Sequence, residues 1–272
     1  MWFGDERYEC MSHNELWFED FFDQWYLKYW IVPITDERTE REVDAIVRFL
    51  QLTGKSRVLD LCCGQGRHSL ELSRRGFNVV GLDLSETLLE ASREKAQKDR
   101  LAVEFIRADM REIPFENEFD GIFNFYTAFG YFEKDEDNQA VLDAVGRALK
   151  PGGRFLLDYP SLEGRMPNWK TQEFFEYDDG TIMLHEMIHN VFDQKIVNKV
   201  LYITKDNQRH RSGFTLRHYY GRELQQCFER AGMETIGAYG NTQGDELTNR
   251  DTRVLVLGQK KSQGLKKTAE VD

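Results

Sequence analysis

The sequence predicts an α/β fold in which a parallel sheet is covered by helices on both faces and carries an inserted antiparallel β-sheet. The first observation is an alternation of short apolar runs with amphipathic helical patterns from residue 39 to residue 160. Strands that alternate with helices form βαβ units, which build parallel sheets. The second observation is a change after Pro160, where strand-like runs follow one another without a helix between them. Such runs, joined by short turns, predict an antiparallel meander.

Five apolar runs predict the strands of the first part of the sheet. They are Arg57–Cys63, Phe77–Leu82, Val103–Arg107, Phe119–Phe125 and Arg154–Tyr159. Between them, apolar residues at intervals of three and four predict helices. These helices are Thr39–Leu52, His68–Arg75, Ser85–Lys98 and Asp137–Leu149. We expect the Ser85 side chain to cap its helix, and Lys150-Pro151-Gly152-Gly153 to close the last one.

The pattern after Pro160 predicts an insertion followed by a return to α/β structure. Strand-like runs at 172–177, 181–192, 196–204 and 209–218 are separated by turns that contain Asp or Asn. A helix over Gly221–Ala231 and strands over Met233–Tyr239 and Arg253–Leu257 follow. The sequence therefore divides into an N-terminal aromatic cap helix (1–38), a core (39–160 and 219–260), an antiparallel β-sheet lid (161–218) and a disordered tail (261–272).

Composition and charge argue against several classes of protein. The 272 residues carry a formal net charge of −11, whereas a protein that coats nucleic acid needs a basic surface. No apolar run approaches the roughly 20 residues of a membrane span, and the acidic start is unlike a signal peptide. The four cysteines form no CxxC pair, so we expect a reduced, cytoplasmic protein with no metal site. The sequence does not decide between a monomer and a homodimer.

A glycine-rich loop directly follows the first predicted strand. Gly64 and Gly66 let the backbone approach a ligand closely, and the next helix presents free N–H groups. Asp83 ends the second strand and is placed to accept hydrogen bonds from both hydroxyls of a ribose. Asp109, at the end of the third strand, is placed to accept from an adenine amino group. Asp60 would repel a pyrophosphate but suits an ammonium group, so the three acids together indicate S-adenosylmethionine.

These motifs resemble those of the class I S-adenosylmethionine-dependent methyltransferases. The matching segments are VLDLCCGQG (58–66), VVGLDLS (79–85), ADM (108–110), FDGIFNFYTAFGYF (119–132) and LKPGGRFLLD (149–158). The resemblance covers residues 39–160 well and the final helix and strands more weakly, and it departs at Cys62, where the family has glycine. It implies a three-layer αβα Rossmann-like fold with a seven-stranded sheet, mostly parallel, that contains one antiparallel strand.

The resemblance also implies a set of residues that bind S-adenosyl-L-methionine and its product S-adenosyl-L-homocysteine. They are Asp60, Cys62, Cys63, Gly64 and Gly66 around the methionine part, Asp83 at the ribose, Leu84, Asp109 and Met110 at the adenine, and Asn124 and Phe125 near the reactive end. The nearest alternative is a dehydrogenase-type dinucleotide site. Asp60 and the lack of a third glycine at Ser69 count against that alternative. We interpret both cysteines as small packing residues rather than nucleophiles.

Aromatic residues follow the fourth strand, next to the expected reactive end of the cofactor. Methyl transfer is an in-line displacement, so positioning of the acceptor supplies much of the rate, and aromatic faces attract the cationic sulfonium. We therefore predict that Tyr126, Phe129, Tyr131 and Phe132 line a substrate pocket, although core packing explains some of them. If the acceptor must lose a proton, the candidate catalytic residues are His185, His218 and Tyr126.

The favoured function is methyl transfer to nitrogen or oxygen of a small-molecule acceptor, because an inserted lid suits an enclosed pocket. The segment Asn124-Phe125-Tyr126-Thr127 lacks the Asn/Asp-Pro-Pro-aromatic motif of enzymes that methylate nucleic-acid bases. One alternative is an RNA or protein acceptor, supported by basic residues on the lid. These residues are Lys205, Arg209, Arg211 and Arg217. A non-catalytic S-adenosylmethionine-binding module is the other alternative.

Aromatic residues are concentrated before the sheet begins, with eleven of the 35 in residues 1–30. Their spacing predicts an amphipathic helix over Leu16–Trp30 that Pro33 ends. In related methyltransferases the segment ahead of the first strand often covers the pocket. We predict that the Trp17–Trp30 helix is a cap whose Trp25, Tyr26, Tyr29 or Trp30 touches the site. A helix that simply packs on the sheet is the alternative.

Overall fold

The computed structural model describes residues 21–30, 34–126 and 128–262, and the eleven strands of this part form two sheets. The first sheet contains β1 (Arg57–Leu61), β2 (Asn78–Asp83), β3 (Val103–Arg107), β4 (Phe119–Asn124), β5 (Leu149–Pro160), β10 (Met233–Tyr239) and β11 (Arg253–Lys260). The second sheet contains β6 (Gln172–Glu176), β7 (Ile182–Asn190), β8 (Lys195–Ile203) and β9 (Arg209–Arg217).

The first sheet has the strand order β3-β2-β1-β4-β5-β11-β10. Strands β1 to β5 pair in parallel with their neighbours, and β11 pairs antiparallel with both β5 and β10. The second sheet is an antiparallel meander in the order β6-β7-β8-β9. The predicted fold class is therefore confirmed, including the single antiparallel strand of the large sheet.

Helices cover both faces of the large sheet. They are α1 (Asp36–Leu50), α2 (Arg67–Arg74), α3 (Glu86–Asp99), α4 (Asp135–Ala148), the single turn α5 (Leu162–Arg165) and α6 (Gly221–Arg230). The predicted cap at Ser85 is present, since its side chain accepts a hydrogen bond from the backbone N–H of Leu88. Helix α1 begins earlier than predicted because the Thr35 side chain caps it by accepting from the N–H of Arg38.

Strand β5 begins at Leu149, five residues before its predicted start. The segment between Leu149 and Arg154 extends the strand through a bulge in its pairing with β4. Glycine is required there, because a Cβ on Gly153 would lie 2.9 Å from the carbonyl oxygen of Lys150 and 3.0 Å from that of Phe119. The pattern Pro-Gly-Gly therefore marks a bulged entry into the strand as well as the end of α4.

Two apolar layers bury the large sheet. Along β1, Val58 packs with residues of α1 such as Val43 and Ile46, whereas Leu59 packs on the opposite face in the layer that contains α4 and α6. Successive strand residues point to opposite faces, so a strand that is apolar throughout is buried on both sides. Burying each such leucine or valine side chain contributes about 1.5–3 kcal/mol.

The second sheet packs against the aromatic residues that precede α1. Phe21 and Tyr29 form a buried cluster with Met183, Val200 and Tyr202 of β7 and β8. In this segment a π-helical turn spans Tyr26–Trp30. The predicted helix before residue 21 and the predicted disordered tail beyond residue 262 lie outside the described residues. Within the described ranges, no helix is long and apolar enough to cross a membrane.

Candidate functional site

A cavity of about 1080 Å³ opens at the carboxyl ends of β1, β2, β3 and β4. The chain places β2 and β3 on one side of β1 and β4 on the other, so the strand order reverses at this point. In open α/β sheets, ligands bind in the crevice outside such a reversal. Several predicted cofactor residues line the cavity, namely Asp60, Cys62, Cys63, Gly64, Asp83, Leu84, Asp109, Met110 and Phe125. Gly66 and Asn124 do not line it.

The glycine loop that follows β1 has a left-handed backbone at Cys62, Gly64 and Gly66, with φ of 59°, 55° and 72°. Gly66 cannot be replaced without displacement, since a Cβ there would lie 3.0 Å from the Phe105 ring. A Cβ on Gly64 would instead meet nothing within 4 Å. Cys62 adopts a conformation that favours glycine, which matches its position in the motif and makes it the strained residue of the loop.

Asp83 ends β2 beneath the cavity and is buried. Its carboxylate accepts hydrogen bonds from the backbone N–H of Gly64 at 2.8 Å and of Ser85 at 2.9 Å. Burial raises the pKa of Asp83 to about 6. A carboxylate has about four lone-pair sites, so Asp83 can still accept a hydrogen bond from a hydroxyl of a bound sugar.

Asp60 lies on β1, one residue before the strand ends, and is 2% exposed. The Ser69 hydroxyl donates to its Oδ2 at 2.6 Å. Burial raises the pKa of Asp60, and the nearby charges of His68 and Arg67 act in the opposite direction. A cationic ligand group beside this carboxylate would compensate for its burial.

Asp109 caps the short 3₁₀ turn that follows β3 and is bound by Arg111. The Arg111 Nη2 donates to Asp109 Oδ2 at 2.6 Å, and its backbone N–H donates to Oδ1 at 2.8 Å. Cys62 and Met110 bring this turn to the glycine loop, with Sγ and Sδ 3.5 Å apart. Burial raises the pKa of both Cys62 and Cys63 well above the usual value, so neither thiol is activated as a nucleophile.

The aromatic segment before α1 contributes a wall of the cavity through Phe22, Tyr26 and Trp30. Tyr26 and Trp30 are four residues apart and share one face of the turn. Trp25 and Tyr29 share the adjacent face and contact the second sheet instead, so the prediction that they touch the pocket is corrected. Trp25 stacks on His210 with ring centroids 4.8 Å apart, and the Tyr29 hydroxyl donates to Asp179 at 2.7 Å.

The aromatic residues that follow β4 have different surroundings. Tyr126 and Tyr131 line the cavity, and the Tyr131 ring packs on Phe22 and Phe214. Phe132 also lines the cavity, but it lies under the guanidinium of Arg111, 4.3 Å from it, and therefore beside Asp109. Phe129 does not line the cavity. It is 2% exposed because it packs into the main core against Tyr159 and Tyr219.

A buried glutamate, Glu42 on α1, holds a charged cluster at the rim of the cavity. It accepts hydrogen bonds from the Tyr126 hydroxyl at 2.9 Å, from His68 at 3.0 Å and from Arg38 at 3.1 Å. Arg67 pairs with it at 2.5 Å. Burial alone would raise the pKa of Glu42, yet the partners, with His68 and Arg67 foremost, lower it to about 2.

Tyr126 links this cluster to the far side of the site. Its φ is 65°, and its backbone N–H donates to Asp158 at the end of β5, at 3.0 Å. Arg253 of β11 binds the same carboxylate through two hydrogen bonds of 2.6 Å. Burial and the charge of Glu42 raise the pKa of Tyr126 to about 12. The phenol is thus a hydrogen-bond donor at neutral pH rather than a base. The one sequence signal for the cluster is a glutamate beside the apolar face of α1.

Neither candidate histidine lines the cavity, which corrects the sequence-based choice of a base. His185 is buried under Trp30, with its Nε2 3.0 Å from the Asn198 side chain. His218 is 2% exposed, stacks on Tyr159, and has no hydrogen-bond partner for either ring nitrogen among the described residues. Burial lowers the pKa of His218 to about 4. Among the described residues, no group of three or more His, Cys, Asp or Glu is arranged to hold a metal ion.

Comparison with known proteins finds similar sequences and structures among methyltransferases. A family model described as "Methyltransferase domain" matches residues 58–153. A putative methyltransferase, YqeM of Bacillus subtilis, is 37% identical over 111 residues, which cover 40% of this chain and 44% of that protein. A glycine/sarcosine N-methyltransferase of Halorhodospira halochloris is 24% identical over 84% of this chain and 83% of its own length. The chain spans about half the length of most of the curated relatives it matches.

Solved structures show the same fold. The CcbJ methyltransferase of Streptomyces caelestis superposes with a TM-score of 0.75 at 20% identity and covers 89% of this chain and 98% of its own. SAM-bound CalS10 of Micromonospora echinaspora, an amino pentose methyltransferase, has a TM-score of 0.61 at 20% identity, covering 83% of this chain and 91% of its own. Residues 58–153 are thus similar to a methyltransferase domain, and the strand order is that of the Rossmann-like methyltransferase fold.

Proposed function

We propose that the protein transfers a methyl group from S-adenosylmethionine to a small-molecule acceptor, with nitrogen favoured over oxygen. One observation carries the proposal. The cavity is bounded on one side by the ends of β1–β4 and on the other by Phe22, Tyr26 and Trp30, whose segment is backed by the second sheet. A cavity of about 1080 Å³ is of the size that holds a cofactor together with a small molecule.

The chain's residues fit the cofactor. Asp83 keeps acceptor capacity for the ribose hydroxyls, and Asp60 is a buried carboxylate that an ammonium group would compensate. Gly64 presents open space where a side chain would project. When bound, S-adenosylmethionine supplies a methyl group on a cationic sulfur. Asp60, Asp83 and Asp109 would hold the ammonium, ribose and base respectively, and so fix the direction in which that methyl group points.

The acceptor would lie against the aromatic wall. Phe22, Tyr26 and Trp30 exclude water and restrict the acceptor to a narrow range of approach, which is the main requirement of an in-line displacement. Burial, together with the charge of Asp83, raises the pKa of Tyr26 to about 12, and Tyr126 is similar. Both phenols therefore keep their protons at neutral pH. A neutral amine attacks without a base and loses its proton to solvent afterwards, so the protonated state of both phenols favours nitrogen.

The relatives support an amine acceptor. The protein of Halorhodospira halochloris is named for N-methylation of glycine and sarcosine, and CalS10 is named an amino pentose methyltransferase. The basic residues of the second sheet support the RNA or protein alternative less well. Arg217 is bound to Asp135 and Glu223 and its side chain is 11% exposed, which leaves exposed Lys205, Arg209 and Arg211.

Cofactor binding is tested by isothermal titration of S-adenosylmethionine and NAD into the wild-type protein and Asp83→Asn. We expect binding of S-adenosylmethionine alone and at least a tenfold weaker affinity for Asp83→Asn, because one acceptor becomes a donor. Asp143→Asn, on the exposed surface of α4 and outside the cavity, is the control. Binding of NAD in place of S-adenosylmethionine would refute the proposal.

The acceptor class is tested with labelled S-adenosylmethionine against matched panels of small amines and alcohols, total RNA and total protein. Methylation of small amines is expected. Incorporation into RNA or protein alone would refute the small-molecule assignment, and cofactor binding without turnover on any panel would favour a non-catalytic module. Deletion of residues 1–30 tests the cap and is expected to abolish acceptor methylation, whereas unchanged turnover would exclude a role for the aromatic wall.

A further inference from the structure

We infer that Arg111 is a positioning residue that makes the cofactor site selective for a base bearing an exocyclic amino group. The inference rests on the proposed function, since it concerns the site assigned to S-adenosylmethionine. Arg111 itself does not line the cavity. It acts through Asp109 and Phe132, which do.

The first contact fixes the plane of the Asp109 carboxylate. The Nε of Arg111 lies 3.1 Å from both carboxylate oxygens, Nη2 lies 2.6 Å from Oδ2, and the backbone N–H lies 2.8 Å from Oδ1. Rotation of an aspartate carboxylate about χ2 is otherwise soft. A planar guanidinium that binds both oxygens removes this freedom, so the edge that Asp109 presents to the cavity is held in one direction.

The ion pair between Arg111 and Asp109 also determines the charge that a ligand meets at this point. Asp109 and Arg111 together carry no net charge, and their side chains are 20% and 34% exposed. Such a pair does not attract cations in general. An ionised carboxylate can only accept hydrogen bonds. The pair therefore recognises a neutral group that donates a hydrogen bond in the right direction. An adenine amino group satisfies it, whereas the carbonyl oxygen of a hypoxanthine would face another acceptor and leave both unpaired.

The third contact fixes an aromatic wall beside the same carboxylate. The guanidinium lies 4.3 Å from the Phe132 ring centroid, within the range of a cation–π interaction. The Phe132 backbone is in turn bound to the Asn138 side chain through hydrogen bonds of 3.2 Å and 2.9 Å. One guanidinium thus orients the polar and the apolar group that would meet the base. Residue Asp137 lies 3.7 Å from its Nη1 and helps to hold it.

The test compares S-adenosylhomocysteine with S-inosylhomocysteine, in which a carbonyl oxygen replaces the amino group of the base and N1 carries a proton. We expect the wild-type protein to bind the adenosyl compound at least tenfold more tightly by isothermal titration. In Arg111→Gln, affinity for the adenosyl compound should fall about tenfold while affinity for the inosyl compound stays within twofold. Arg93→Gln is the matched control, because Arg93 pairs with Glu86 at 2.6 Å outside the cavity.

A second variant, Asp109→Asn, tests the same geometry in the opposite direction. Arg111 would retain the amide oxygen and turn the amide N–H₂ toward the base, so the preference should shift toward the inosyl compound by at least tenfold. An equal loss for both ligands in Arg111→Gln, or no loss, overturns the inference, as does an unshifted preference in Asp109→Asn. If the wild-type protein binds both compounds equally, the inferred selectivity for the amino group is refuted and the proposed function is not. One that binds neither refutes the proposed function.

Discussion

Replacement of Glu42 by glutamine tests the charged cluster that joins α1 to the site. The carboxylate is 7% exposed and contacts Arg38, Arg67, His68 and Tyr126. Its pKa falls from an ordinary value of 4.5 to about 2. At 1.36 kcal/mol per unit, this corresponds to roughly 3 kcal/mol. Since the Arg38 side chain is 50% exposed and screened by water, we expect about 2 kcal/mol at pH 7.

The sign of the pH dependence follows from the lowered pKa. The folded state holds Glu42 ionised, so its contribution is complete above about pH 5 and is lost as pH falls towards 2. Urea unfolding followed by tryptophan fluorescence at pH 7, 5 and 3.5 measures it. Glu42→Gln should be about 2 kcal/mol less stable than wild type at pH 7, and about half of this difference should vanish by pH 3.5.

The neighbouring Glu40→Gln is the matched control for Glu42→Gln. Glu40 lies on the same helix and is exposed, so its replacement should change stability by less than about 0.5 kcal/mol at any pH. A difference between Glu42→Gln and wild type that is independent of pH would refute the electrostatic reasoning. So would a variant as stable as wild type at pH 7.

Three further predictions concern buried or strained residues. Wild type should lose about 3 kcal/mol of stability between pH 6.5 and pH 4, because burial lowers the pKa of His218 to about 4 and protonation therefore favours the unfolded chain. His218→Phe should not show this loss. The same dependence of stability on pH in both proteins, measured by urea unfolding, would contradict the prediction. Cys62→Gly should be about 1 kcal/mol more stable than Cys62→Ala by the same assay, because only glycine relieves a φ of 59°, and a more stable alanine variant would exclude strain. Trp30→Ala should raise the acceptor KM about tenfold, because Trp30 lines the cavity. Trp25→Ala loses packing on the second sheet, so it should lower Tm and change the acceptor KM less than threefold. Equal effects of the two variants on KM would show that the two faces are wrongly assigned.

The sequence predicts the fold well wherever local patterns coincide with tertiary packing. Strands β3 and β10 have their predicted bounds, because each is a short apolar run between turn residues. The starts of α1 and β5 were displaced. Thr35 caps α1 outside the apolar periodicity, and the entry into β5 depends on a carbonyl of Phe119 that approaches Gly153 from another strand. Neither effect can be predicted from the residues that are adjacent in sequence.

The cavity likewise has one half that the sequence predicts and one half that it does not. The half that is predicted to hold the cofactor follows from the strand ends, since Asp60 lies on β1, Asp83 ends β2 and Asp109 follows β3. Its acceptor half depends on which face of an aromatic segment turns inward. Trp25 and Trp30 are equally apolar in sequence, and the second sheet, which lies far along the chain, selects between them.

The aromatic segment before α1 and the Asp83 carboxylate form one hydrogen-bonded unit through Ser85. Ser85 donates its hydroxyl to the carbonyl oxygen of Phe22 at 2.9 Å and its backbone N–H to Asp83 at 2.9 Å. The same residue caps α3. Tyr26, four residues beyond Phe22, lies close enough to Asp83 for the carboxylate charge to contribute to its raised pKa. The aromatic wall of the cavity therefore takes its position from the loop that follows β2. If that loop holds the ribose as proposed, the shape of the aromatic half of the cavity depends on the order of the cofactor half.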